Sequence, residues 1–255
     1  MNLIDALKNR CNSLINNKNE HEQLFEKDIE QYQLLNKNKN FIIEKKYLYP
    51  CIYDKDENAG SLGHYFWQDL WASSLITGKN PEIHYDIGSR IDGFIAHLAC
   101  QKKKIVFIDI RPLETKIDGV DFIQADAKTL ENIESESIES LSALCSLEHF
   151  GLGRYGDPID PNACFKSFES IKRVMKREGN LYISVPIGTE HLEFNAHRVF
   201  YPSTIVKRFN GMKLQEFSVI NPDHNGIEYN VDINKYDNEL GIRGLRFGLF
   251  HFKKK

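Results

Sequence analysis

The chain has 255 residues, long enough for one large domain or one domain plus an accessory segment. Its 41% hydrophobic and 27% charged residues fit an ordinary globular protein. A net charge of -3 and a pI near 6.3 argue against a dedicated nucleic-acid binder, which concentrates Lys and Arg on phosphates. No apolar run approaches the roughly 20 residues that span a bilayer, and the first residues have neither the basic region nor the apolar core of a signal peptide. The five cysteines (Cys11, Cys51, Cys100, Cys145, Cys164) are scattered, odd in number and without CxxC spacing, which favours reduced thiols and a cytoplasmic location over a disulfide framework or zinc site.

Residues 1 to about 40 are rich in Asn, Lys, Glu and Gln. Leu3, Leu7, Cys11, Leu14 and Ile15 recur at helical spacing, giving a thin stripe that suits either a solvated helix or an arm packing on a second copy of the chain. The aromatic stretch from His64 to Trp71 reads as a helix buried on one side, with His64 and Trp67 open to a role as a lid or as core. We therefore expect an N-terminal helical extension or lid over residues 1–80 and a catalytic domain over 81–255.

From residue 83 short apolar runs alternate with helical segments. Strands are expected at Ile83–Gly88, Lys104–Asp109, Asp121–Asp126, Ile138–Ser146 and Gly179–Val185, with helices over Gly93–Ala99 and about Pro161–Lys176. This alternation implies a doubly wound parallel sheet. The runs Leu214–Ile220 and Leu245–Phe252 have only a turn-like Asn221–Gly226 segment between them, and are expected as an antiparallel pair at the sheet edge. The closing Lys253-Lys254-Lys255 reads as a solvated tail.

In open α/β sheets, ligands bind outside the carboxyl ends of the strands. Three successive strands end there in acids. Asp86 precedes Gly88 by two residues, and Gly88 lets the backbone approach a ligand; Asp86 itself suits an ammonium group. Asp109 stands 21 residues beyond Gly88, where an acid can take both hydroxyls of a ribose. Asp126 is placed to accept from an adenine amino group. Each acid alone is equally at home as a helix cap.

With the segments Ser146-Leu147-Glu148-His149-Phe150 and Val174–Pro186, residues 83–252 resemble the class I SAM-dependent methyltransferases. The first matches that family's LEH segment after the fourth strand, and the second its "LKPGGxLxISVP" lead into the fifth. The resemblance implies a Rossmann-like sheet of five parallel strands plus an antiparallel edge pair. It also implies S-adenosyl-L-methionine (SAM) held by Asp86, Gly88, Ser89, Arg90, Asp109, Asp126, Ala127 and Glu148. The glycine loop departs from the family's DxGxGxG: Arg90 and Asp92 occupy the second and third glycine positions, and Gly93 comes one residue late. Arg90 can either pair with the SAM carboxylate or crowd the site.

Residues 86–94 and 148–161 further resemble a little-characterised bacterial subgroup found with surface-polysaccharide genes. This implies a sugar or nucleotide-linked glycan intermediate as the small-molecule acceptor. His149 has the pKa of a general base for an attacking hydroxyl, or only braces the cleft with Glu148. In the glycine-rich loop 151–158, Arg154 suits a phosphate or carboxylate and Tyr155 can stack on a sugar or base. Asp157 and Asp160 are placed to orient hydroxyls, Asp157 as catalytic partner of His149; their spacing matches no strong metal motif, and no metal is assigned. His197 and Arg198 are further substrate-binding candidates after the fifth strand. The expected function is O-methylation of such a sugar. The alternatives are a non-catalytic binding or scaffolding member and, less well matched by a loop lacking GxGxxG, a nicotinamide-dependent oxidoreductase.

Overall fold

The computed structural model describes residues 20–37, 40–53, 62–223, 225–237 and 245–255, and divides the chain into two compact units, 1–61 and 62–255. In the first, helix α1 is described over 20–35 and a short 3-10 turn spans Lys45–Tyr47. The Tyr32 hydroxyl donates to Phe41 O at 3.0 Å. The stripe from Leu3 to Ile15 lies outside the described residues.

The boundary expected at residue 80 moves to 61/62. Helix α2 (His64–Lys79) belongs to the second unit, where Trp71, Ala72 and Ile76 are buried in a core cluster. His64 stacks on Phe247 with ring centroids 3.7 Å apart, Trp71 is buried in the core, and Tyr65 lines the cavity described below.

The strands of the second unit are β1 (Ile83–Ile87), β2 (Lys104–Asp109), β3 (Val120–Gln124), β4 (Ile138–Leu144), β5 (Met175–Ile187), β6 (His191–Glu193), β7 (His197–Val199), β8 (Met212–Ile220), β9 (Ile227–Glu228) and β10 (Arg246–Lys254). Eight form one sheet in the order β3-β2-β1-β4-β5-β10-β8-β9. The first five are parallel, and β10 runs antiparallel to both β5 and β8. The fold is thus the Rossmann-like methyltransferase sheet with its antiparallel edge pair. Strand β4 is buried at six of seven positions because helices cover both faces, the pattern of a central parallel strand. On one face, α4 (Ala163–Val174) buries Phe168, Ile171 and Val174. On the other, α2 packs with α3 (Ala96–Cys100).

Four details were not expected. A single π turn at Ile91–Ile95 precedes α3. A Cβ on Gly93 would collide with the Asp69 carboxylate of α2, so the displaced glycine serves helix packing. The polar segment after β5 folds into the β6–β7 hairpin. The lysine tail is only partly solvated: β10 carries Lys253 and Lys254 into the sheet, where Lys254 Nζ donates to Lys172 O and Met175 O at 2.9 and 2.8 Å, and Lys255 is exposed.

No helix among the described residues is long and apolar enough to cross a membrane.

Candidate functional site

The carboxyl ends of β1, β2, β3 and β4 open on a cavity of about 640 Å³, within the range of small-molecule sites. Its floor is the turn after β1. Gly88 sits at φ +67°, a conformation that favours glycine, and a Cβ there would lie a tight 3.3 Å from Ser146 Cβ. Gly88 N donates to Ile108 O at 2.9 Å, and Ser146 Oγ donates to Ile87 O at 2.7 Å. These bonds tie the turn to β2 and to the loop after β4.

Asp86 lies beneath this turn, not in the cavity. It is fully buried and accepts from Ser89 N at 2.9 Å, Ser89 Oγ at 2.7 Å and Ser142 Oγ. Burial pushes its carboxyl up to about 6 against the pull of the Ser142 and Ser89 bonds. Ser142 also meets His84 Nε2 at 2.9 Å, and His84 Nδ1 meets Ser140 Oγ at 2.8 Å. Burial pushes His84 down to about 3, which keeps it neutral. The expected ammonium partner is therefore corrected to a positioning residue: it is buried outside the cavity lining, and its three bonds shape the loop. Ser89 does line the cavity, although its Oγ is held by Asp86 and accepts from Leu144 N at 3.0 Å.

The other two strand-end acids do reach the cavity, each beside a cation. Asp109 accepts from Arg111 N, Nε and Nη2 at 2.8, 3.0 and 2.8 Å. Asp126 accepts from Lys128 N at 2.9 Å and pairs with its Nζ at 3.1 Å; Ala127 is buried against the cavity between them. Arg90 and Asp92 form a two-bond ion pair at the rim, with the guanidinium 4.7 Å from the Tyr65 ring centroid. The two side chains standing at glycine positions thus satisfy each other at the surface.

After β4, a 3-10 turn at Leu147–His149 buries Glu148 and His149. His149 Nδ1 lies 2.6 Å from Ala196 O and 3.3 Å from Arg154 Nη1. A carbonyl oxygen that close requires a donated proton, so Nδ1 carries the hydrogen and Nε2 keeps the lone pair. Nε2 stands 3.6 Å from Glu148 Oε1, while Glu148 Oε2 is buried with no hydrogen-bond partner. Burial pushes Glu148 up to about 8 and His149 down to about 4. At neutral pH both are uncharged.

His149, Tyr155 and Asp157 line the cavity, whereas Glu148, Arg154, Asp160, His197 and Arg198 do not. Glu148, expected to touch a cofactor, backs His149 instead. Asp157, expected in catalysis, staples its loop by accepting from Gly151 N at 2.7 Å. Asp160 pairs with Lys166 at 2.8 Å and accepts from Asn162 N ahead of α4, leaving it a structural rather than substrate-binding place. His197 Nε2 lies 3.2 Å from Glu193 Oε2 within the hairpin but makes no hydrogen bond there. Arg198 donates to Glu148 O, Phe150 O and Pro161 O at 3.1, 2.7 and 3.3 Å, bracing the loop after β4 from behind. Arg154 reaches the cavity through Tyr155, whose ring centroid lies 5.1 Å from its guanidinium and 4.8 Å from that of Arg111.

Sequence reasoning passed over Arg111, Lys128 and Tyr65. The first two follow their strand-end acids by two residues, a spacing that signals local pairing. Tyr65 sat unnoticed in the aromatic stretch. Among the described residues no three His, Cys, Asp or Glu side chains are grouped to hold a metal ion.

Residues 100–238, more than half of the chain, match the profile of the family described as "Caenorhabditis protein of unknown function, DUF268". The chain belongs to that family. The matched part of this DUF268 member runs from the end of α3 to beyond β9 and contains Asp109, Asp126 and the whole loop after β4. No curated protein sequence matches it. Among solved structures it is similar to a candidate sarcosine dimethylglycine methyltransferase from Galdieria sulphuraria, with TM-score 0.51 and 13% identity over 73% of this chain and 85% of that one. It is also similar to a candidate methyltransferase from Bacillus halodurans C-125, with TM-score 0.50 and 16% identity over 73% and 98% of the two chains. A third neighbour is the [4+2]-cyclase SpnF, with TM-score 0.52 and 11% identity over 73% and 80%. These likenesses place the chain in the methyltransferase fold. The cyclase shows that the reaction must be argued from the site.

Proposed function

We propose that the cavity binds SAM and that the protein transfers its methyl group to a hydroxyl of a sugar or nucleotide-linked glycan intermediate. The observation that carries the cofactor reading is the pairing of two features in one cavity. The Gly88 turn admits a ligand where any Cβ would meet Ser146, and Asp109 lies at the end of the adjacent strand. The residues present fit the group: Gly88 and Ser89 would hold its amino-acid portion, Asp109 its ribose, and Asp126 with Ala127 its adenine. When bound, SAM supplies a methyl group on a positively charged sulfur.

The chain's own residues then have to orient the acceptor and take its proton. His149 Nε2 is the neutral lone pair at this end of the cavity, and Nδ1–H on Ala196 O fixes its tautomer. Once Glu148 has lost its own proton to solvent, its carboxylate 3.6 Å away stabilises the imidazolium formed as the acceptor hydroxyl's proton moves to Nε2. Arg198 keeps this pair in place by holding the Glu148 and Phe150 carbonyls. The sugar acceptor and a place in surface-polysaccharide assembly rest on the resemblance carried by residues 86–94 and 148–161. The test is transfer of labelled methyl from SAM to a panel of sugars and sugar nucleotides, with His149→Ala as control. Transfer abolished by that substitution supports the reading, and no transfer to any hydroxyl acceptor contradicts it.

One observation favours a second reading, a non-catalytic binding or scaffolding protein: the Arg111 guanidinium already covers Asp109. Under that reading neither SAM nor its demethylated product, S-adenosylhomocysteine (SAH), would stabilise the protein.

A further inference from the structure

The charges around the cavity do not balance evenly. Arg90 is matched by Asp92, Arg111 by Asp109 and Lys128 by Asp126, each within 3.1 Å. Arg154 stands beside Tyr155, just outside the cavity lining, yet among the described residues its hydrogen-bond and ring partners are neutral groups. Its Nη1 donates to Ala196 O at 3.1 Å and approaches His149 Nδ1, which is a donor itself and cannot accept. Its guanidinium lies against the Tyr155 ring, next to the His149 imidazole, whose centroid is 5.6 Å from that ring. Nε and Nη2 of this exposed side chain are left for a ligand. A planar cation on an aromatic face beside the base, with two donors to spare, matches the two-oxygen edge of a phosphate or carboxylate.

Asp109 adds a second element. A carboxylate offers about four lone-pair sites, and Arg111 takes three of them through N, Nε and Nη2. A ribose diol needs two. Its binding must therefore displace at least one Arg111 bond, and the displaced guanidinium already rests on the Tyr155 ring that Arg154 also touches.

We infer that the methyl acceptor carries an anionic group, a phosphate or a carboxylate, which Arg154 binds beside Tyr155. Arg111 joins it as the cofactor's ribose claims Asp109. This rests on the cofactor reading above for the order of events, but the anion site stands on Arg154 itself. Binding of the two ligands is then cooperative: each occupant of the cavity favours the other, and by the same factor.

The experiment is calorimetric titration of the full chain with sodium pyrophosphate and, separately, sodium malonate, with and without saturating SAH. Tighter binding of pyrophosphate marks a phosphate acceptor, and tighter binding of malonate a carboxylate one. Wild-type protein is expected to bind one of these anions, about tenfold more tightly with SAH present. Arg154→Gln is expected to weaken that anion about tenfold or more while SAH affinity stays within about twofold of wild type, which shows that the variant is folded. Equal anion affinity in wild type and Arg154→Gln, or no binding of either anion by the wild type, would overturn the inference. A protein that binds no SAH but binds pyrophosphate through Arg154 would contradict the cofactor reading and still support the anion site.

Discussion

The loop after β1 and the loop after β4 face each other across one cavity, yet they are built in opposite ways. Around Gly88 the polar groups described above bond one another. Asp86 accepts from Ser89 and Ser142, Ser146 donates to Ile87 O, and Arg90 pairs with Asp92. Around His149 capacity is left over: Glu148 Oε2 has no partner, His149 Nε2 keeps its lone pair, and Arg154 rests on neutral groups. A saturated loop holds a shape, because every change breaks a bond already made. The other is held by Arg198 from behind and stapled by its own Asp157, and leaves atoms to meet a ligand. The contrast assigns holding to the β1 side and chemistry to the β4 side.

Substitutions on the saturated side are expected to do the most damage. Asp86→Ala removes the acceptor of three buried donors and should cost roughly 2–4 kcal/mol of stability, measured by denaturant unfolding. A loss under about 1 kcal/mol would mean the turn does not depend on Asp86. Gly88→Ala forces a side chain into a left-handed conformation against Ser146. It should cost about 1–2 kcal/mol and weaken SAH binding by more than tenfold. Wild-type SAH affinity in that variant would place the cofactor elsewhere.

On the β4 side, Arg198→Ala should lower kcat with little change in SAH affinity, because Arg198 braces the turn without entering the cavity. A large rise in the SAH Kd would show that the two sides are not separable.

The smallest effects come from pH. The Glu148 carboxyl is raised to about 8 in the fold and is ordinary when unfolded, so the folded state binds the extra proton between about pH 4.5 and 8. Stability from this group is therefore full at low pH and lost as pH rises through that window. Buried Asp69 and Asp86, raised to about 7 and 6, act in the same direction. His149 and His84, lowered to about 4 and 3, act in the opposite direction below pH 6.5. Glu148→Gln should flatten the decline in Tm between pH 6 and 9. In the wild type, kcat should climb as Glu148 ionises, with no limb near 6.5. A rate limb near 6.5 that vanishes in His149→Ala would mean that His149 titrates as an exposed imidazole and is not paired with Glu148.

The same contrast explains what could be read in advance. The five parallel strands followed from apolar runs alternating with helical segments, since a central parallel strand is apolar on both faces and its carboxyl end carries the polar groups. The three acids looked alike in sequence because burial was invisible. What separates Asp86 from Asp109 is Ser142, which lies 56 residues away on β4 and reaches under the turn. His149 was legible as a cavity residue from the LEH segment, but its tautomer depends on Ala196 of a hairpin with no alternating pattern to reveal it. Arg198 carried no signal of its bracing role, because its partners are all backbone carbonyls.

The most direct test of the account is thermal unfolding of the protein titrated with SAH. At about 100 times its Kd the ligand should stabilise the fold by roughly 2.7 kcal/mol, visible as a clear rise in Tm that Gly88→Ala abolishes. An unchanged Tm at millimolar SAH and SAM would contradict the assignment of the Gly88 and Asp109 cavity as the cofactor site.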